Sequence, residues 1–101
     1  MLKEFENWFA ANTSALQAKG FVVKVVKSDQ STDKPGIRAD VDTRNCVAQI
    51  TLWDSGEIES DAIDMATEQT IFNRYAIIHT REELNEALKD FFAQLSSRSN
   101  R

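Results

Sequence analysis

GIRADVDTRNCVAQITLWDSGEIESDAIDM, residues 36–65, alternates between apolar and polar side chains in successive short runs. From Gly36 to Asp42, Ile37, Ala39 and Val41 fall on one side, and Arg38, Asp40 and Asp42 on the other. A period of two is the mark of a half-buried β-strand. Thr43-Arg44-Asn45 reads as a turn, after which Cys46, Ala48, Ile50 and Leu52 point inward and Val47, Gln49, Thr51 and Trp53 outward. Asp54-Ser55-Gly56 is a short hairpin loop with glycine where a positive φ is needed. The next run sets Ile58, Ser60 and Ala62 against Glu57, Glu59 and Asp61. Its phase slips at Ala62-Ile63, because Ile63 and Met65 take positions the acids held, and a bulge or bend there accounts for it.

Outward from this core of strands, the flanks are equally patterned. Phe21–Val26 is β-branched and short, which predicts a further strand, and Ser28–Gly36 is a turn-rich loop holding the only proline. Leu2, Phe5, Trp8, Phe9, Asn12 and Leu16 make one helical stripe with a single polar interruption. Lys19 and Gly20 stop that helix. After a turn at Ala66–Gln69, Thr70–Ile78 predicts the fifth strand. Thr80-Arg81-Glu82-Glu83 then fits a capping box, opening a helix whose stripe is Leu84, Ala87, Leu88, Phe91 and Leu95. The expectation is an α+β domain over residues 1–95: a five-stranded antiparallel meander between two helices, with 96–101 a flexible polar tail. Both helices should pack on one face of the sheet, since the outward positions are too polar to bury.

The composition, 42% hydrophobic and 28% charged, is that of an ordinary globular protein. Cys46 is the only cysteine, so no internal disulfide can form, and a reducing compartment is expected. The N-terminus lacks the basic and apolar regions of a secretory signal, and no apolar run is long enough for a membrane span, so the cytoplasm is the expected location. A net charge of −4 argues against nucleic acid as partner. Between Arg44 and Arg74 there is no Lys or Arg, while Asp54, Glu57, Glu59, Asp61, Asp64 and Glu68 are all acidic.

Chemistry is sparse. The single histidine, His79, precedes a helix cap, and Cys46 falls in an inward phase, so neither reads as a catalytic group. One His and one Cys cannot build a zinc site, and no glycine-rich phosphate loop is present. No catalytic residue, metal or cofactor is expected, and the chain does not read as an enzyme. Glu57, Glu59 and Asp61 line one face of a strand, as a solvated charged row or as a docking surface. Trp53 lies in the outward phase beside them, as an interface anchor or tucked under a loop after a bend at Asp54. Tyr75 or Arg74, depending on phase, should stand near it, and Arg38, Asp40 and Asp42 add mixed charge to the same face. Those residues are the candidate partner-binding set.

Asn7-Trp8-Phe9, Lys19-Gly20-Phe21, DVDT (40–43), AQITLWDSGEIESDAID (48–64) and EELNEALKDFF (82–92) together resemble the TriTu family of immunity proteins. The resemblance spans nearly the whole chain, in order, and its motifs are patterns of hydrophobicity and turns rather than catalytic signatures. It implies a partner of an Rhs-type polymorphic toxin delivered by type VI secretion, whose C-terminal domain is an ADP-ribosyltransferase acting on elongation factor Tu. Such a protein would bind that domain one-to-one as a monomer and block its active site or substrate surface. The alternative is a small acidic adaptor or chaperone-like assembly protein that oligomerises through a sheet edge and has no toxin partner.

Overall fold

The computed structural model describes residues 1–28 and 33–99, with side chains described as far as Ser96. The chain runs α1 (Leu2–Ala18), β1 (Val22–Lys27), β2 (Gly36–Asp42), β3 (Cys46–Trp53), β4 (Glu57–Asp64), β5 (Thr70–Ile77) and α2 (Arg81–Ser99). The strands lie in one sheet in chain order, each antiparallel to the next. This is the α+β meander that the alternation predicts. Residues 29–32 of the β1–β2 loop lie outside the described part.

The helix ends follow local chemistry. Gly20 takes φ +91°. Its amide donates to the Gln17 carbonyl at 3.0 Å, and the Phe21 amide donates to the Leu16 carbonyl at 3.0 Å. That is a Schellman stop, and it aims Phe21 back at the core. Asn12, the polar break in the α1 stripe, donates from Nδ2 to the Trp8 carbonyl at 2.8 Å and so bonds within its own helix. At the start of α2 the Glu83 amide donates to Thr80 Oγ1 at 3.1 Å. The Glu83 carboxylate reaches back one residue further than a capping box requires, accepting from the His79 amide at 3.0 Å. The helix then continues through Ser99, into the stretch expected to be a loose tail, because no glycine or proline stops it there.

Both helices bury their stripes against the same side of the sheet. Phe5, Phe9 and Leu16 of α1 and Leu84, Leu88, Phe91 and Leu95 of α2 join one cluster with Ile37, Ala39, Val41, Cys46, Ala48, Ile50, Leu52, Ile58 and Ala62. The inward positions of β2 and β3 are those the sequence assigns. The register shifts between Ala62 and Ile63, where a bulge was expected. The extra residue, however, is Ile71 on β5, since Ala62 faces Phe72 while Ile63 faces Thr70. β4 itself keeps its alternation, and Ile63 points outward at 44% exposure. Its partner across the ladder is Val47, also exposed, so the two apolar side chains shield one another in place of a phase slip.

Gly56 closes the β3–β4 hairpin at φ +93°, and a Cβ there would lie 2.7 Å from the Ile78 carbonyl oxygen. Gly56→Ala is expected to destabilise the fold by about 1–3 kcal/mol. A lowered urea midpoint at unchanged slope would show it. Val22→Ala, at an exposed position on the edge strand β1, should stay within about 0.5 kcal/mol.

Candidate functional site

The face opposite the helices is laid out in rows by the strand register. One row runs Val26, Arg38, Thr51, Glu59 and Tyr75; the next runs Lys24, Asp40, Gln49, Asp61 and Asn73. Trp53 stands at the end of β3 opposite Gly36. The glycine is what makes room: a Cβ at residue 36 would lie 3.0 Å from Trp53 Cδ1. The indole is half-buried, with the Lys34 ammonium 4.8 Å from its ring centroid. Trp53 thus keeps its outward phase, while a residue of the β1–β2 loop covers one side of the ring.

Glu57 ties this corner together. Its carboxylate accepts from Lys34 Nζ at 3.0 Å, from the Tyr75 hydroxyl at 3.0 Å and from Ser55 Oγ at 3.1 Å. The Lys34 bond first, then those from Tyr75 and Ser55, hold the Glu57 carboxyl below the usual carboxylate range. The same carboxylate, accepting from its hydroxyl, raises the phenol pKa of Tyr75. Loop, hairpin and fifth strand are therefore joined through one side chain.

Beside Trp53 lies an open groove of ≈ 430 Å³ lined by Arg38, Gln49, Thr51, Trp53, Glu59 and Asp61, together with the end of β1. Arg38 is already engaged, donating from Nε to Asp40 at 2.8 Å and from Nη2 at 3.2 Å. Among the described residues Glu59 and Asp61 have no ion-pair partner. Three acids in a row on one strand do not converge, and among the described residues no group of His, Cys, Asp and Glu could hold a metal ion.

The groove brings together Trp53, Glu59, Asp61 and Arg38, with Asp40, Glu57 and Tyr75 on its margin. Asp42 stands at the far end of β2, opposite Val47 and Val22. The phase left open at Arg74 and Tyr75 is resolved: Tyr75 is outward and Arg74 is not. Arg74 pairs across the ladder with the buried Ser60, on the helix-covered face. There it forms an ion pair with Asp90 of α2 and lies 5.2 Å from the Phe72 ring centroid. The bulge at Ile71 explains the difference, because it sets the phase of every residue that follows on β5. Sequence reading passed over Gln49 and Thr51, although their outward phase beside Trp53 was visible. Lys34 carried no signal, since a loop residue has no period.

A half-buried tryptophan, a groove and two exposed-face carboxylates with no ion-pair partner among the described residues make a surface suited to contact with another macromolecule. A family model described as Immunity protein TriTu matches residues 3–94, and the chain belongs to that family. With membership comes an immunity role and a cognate toxin as the protein partner. No curated protein matches the chain.

Because the folded pKa of Glu57 is depressed, its contribution to stability is present above the ordinary carboxylate value near 4.3. That contribution is lost as pH falls through the folded value. Glu57→Gln is therefore expected to melt below the wild type at pH 7, with the gap closing as pH falls below about 4. Thermal melts across that range check it; an undiminished gap at low pH would mean that the carboxylate's charge is not the cause.

Proposed function

We propose that the protein neutralises a secreted ADP-ribosyltransferase toxin directed at elongation factor Tu. It does so by laying its outer sheet face over the toxin's NAD cleft or protein-substrate surface. The observation that carries this reading is the pair Glu59 and Asp61, without an ion-pair partner among the described residues, at the rim of a groove that ends on Trp53. A cleft that binds the pyrophosphate of NAD needs positive charge, and Lys or Arg side chains from its rim would find acceptors here. Charge complementarity speeds the encounter, whereas the aromatic anchor and desolvated pairs slow release. Gln49 and Thr51 supply hydrogen-bonding groups to the groove.

In this reading the protein acts in the cytoplasm as a monomer, forms a one-to-one heterodimer and performs no chemistry of its own. His79 is exposed at the α2 cap and its backbone amide is spent on Glu83, a placement that favours a structural role. Access to NAD or to the target is lost by steric cover alone, and the toxin's catalytic groups are left intact.

The triple variant Trp53→Ala, Glu59→Lys, Asp61→Lys leaves the Glu57 network in place and should fold. It is expected to bind the toxin's catalytic domain about a hundredfold or more weakly, since a buried aromatic anchor alone is commonly worth about tenfold or more. Calorimetry with that domain, and modification of elongation factor Tu in its presence, are the measurements. Wild-type affinity in the triple variant would move the docking surface elsewhere. His79→Ala should inhibit as the wild type does; lost inhibition with binding intact would point to chemistry at that side chain.

A further inference from the structure

The sheet has two edges, and they are unlike. β1 carries Lys24 and Lys27, and Lys27 is drawn to Glu6 of α1 at 2.8 Å. Lysine on an edge strand is an ordinary guard against pairing with another chain. β5, TIFNRYAI, has neither lysine nor proline. It is also an eight-residue strand that is exposed over most of its length.

The backbone phase of β5 follows from one bond. The Ile78 amide donates to the Gly56 carbonyl at 2.7 Å, and the ladder continues as Ile58 with Ala76 and Ser60 with Arg74. In an antiparallel pair, residues that bond the neighbour alternate with residues whose N–H and C=O point the other way. Ala76 and Arg74 are therefore in the bonded phase. Asn73, Tyr75 and Ile77 turn their amides and carbonyls to the open side, where the described residues place no further strand.

Two surfaces frame this edge. On the outer side, Tyr75 and Ile77 are 59% and 50% exposed and stand next to the carboxylates of Glu57 and Glu59. On the inner side a groove of ≈ 480 Å³ opens between β5 and α2, lined by Ser60, Arg74, Ala76, Ala87 and Phe91 among others. A strand laid along β5 would send alternate side chains to these two surfaces.

We infer that β5 is a docking edge, which receives an extended segment of the toxin as a sixth strand. This rests on the immunity reading above and adds how the partner is held. The segment alternates apolar residues, which enter the groove under α2, with Lys or Arg residues on the outer side. The latter fit because the acidic row lies one strand further in, about 5 Å from β5, within reach of long cationic side chains. Among the described residues the row's one ion pair is that of Lys34 with Glu57, and the sequence holds no Lys or Arg between Arg44 and Arg74. Backbone bonds supply affinity, and the alternating side chains supply selection.

The test uses Asn73→Pro in the full chain with the toxin's catalytic domain. The Asn73 amide faces the open side, so proline there removes an edge donor and obstructs an added strand without breaking the β4–β5 ladder. Binding is expected to weaken about tenfold or more, while Asn73→Ala, which keeps the amide, stays within about threefold. Hydrogen exchange of the wild type should show the amides of Asn73, Tyr75 and Ile77 slowed in the complex and fast in the free protein. Should Asn73→Pro fail to fold, that exchange comparison decides alone. Unslowed edge amides in a complex that the Trp53, Glu59 and Asp61 substitutions still weaken would overturn the edge and keep the outer face. Edge amides already slow in the free protein, together with a dimer in sedimentation, would assign the edge to a second copy. No binding by the wild type would overturn this inference together with the immunity reading.

Discussion

Phe92 is the point at which the two ends of the chain are joined, and the sidedness of the molecule depends on it. Its ring stacks on Trp8 at 5.6 Å and meets Phe9 edge-on at 6.0 Å, so α2 is locked to α1. It also meets Phe21 at 5.1 Å, just where the chain leaves the glycine stop of α1 and enters the sheet. Phe91, one residue earlier, touches Phe72 of β5 at 5.8 Å. The aromatic cluster thus spans from the first helix to the last strand. With both helices held side by side over the inner face, no helix or strand among the described residues covers the other, and the outer face is left to solvent and partners.

That outer face is not a passive polar coat. Glu57 gathers Lys34 from the β1–β2 loop, Ser55 from the β3–β4 hairpin and Tyr75 from β5. Such exposed contacts add little to stability singly. Their effect is positional: Lys34 is brought over the indole of Trp53, and Tyr75 is held beside the acidic row. Gly36 contributes by having no side chain, since a Cβ there would press on the indole and on the Leu52 carbonyl oxygen, 3.0 Å from each. A ring fixed before contact loses less conformational freedom when a partner arrives. Arg38 and Asp40 neutralise one another nearby, which leaves Glu59 and Asp61 to set the charge of the groove.

Most of the architecture was legible because its signals are periodic. Alternation in β2, β3 and β4 named the inward residues, and the stripes of both helices named theirs. What periodicity cannot resolve is a single inserted residue. The bulge lies at the expected level of the sheet but on the neighbouring strand, because exposed Ile63 and Met65 look in sequence like a slipped phase. The side of Arg74 stayed open for the same reason, and it proved to face the helices. The corner around Trp53 was half legible: the outward phase of Trp53 and the row of acids could be read, whereas Lys34 reaches them across a loop. A contact made by one loop residue to another strand leaves no trace in local spacing.

The division between the two faces also bears on how such a protein can change partner. The fully buried apolar side chains form one cluster between the inner face and the helices, while the groove residues Gln49, Thr51, Glu59 and Asp61 rest on strands whose other side is already packed. Substitution at exposed strand positions of this kind usually shifts stability by no more than about 0.5 kcal/mol, whereas loss of a desolvated contact can cost about 2 kcal/mol or more of binding. Recognition can therefore be rewritten with little effect on folding. By the same logic the sequence displays its fold openly and its partner hardly at all. The fold is encoded by a pattern that must repeat along every element, but the partner is encoded by a few side chains free to be almost anything polar.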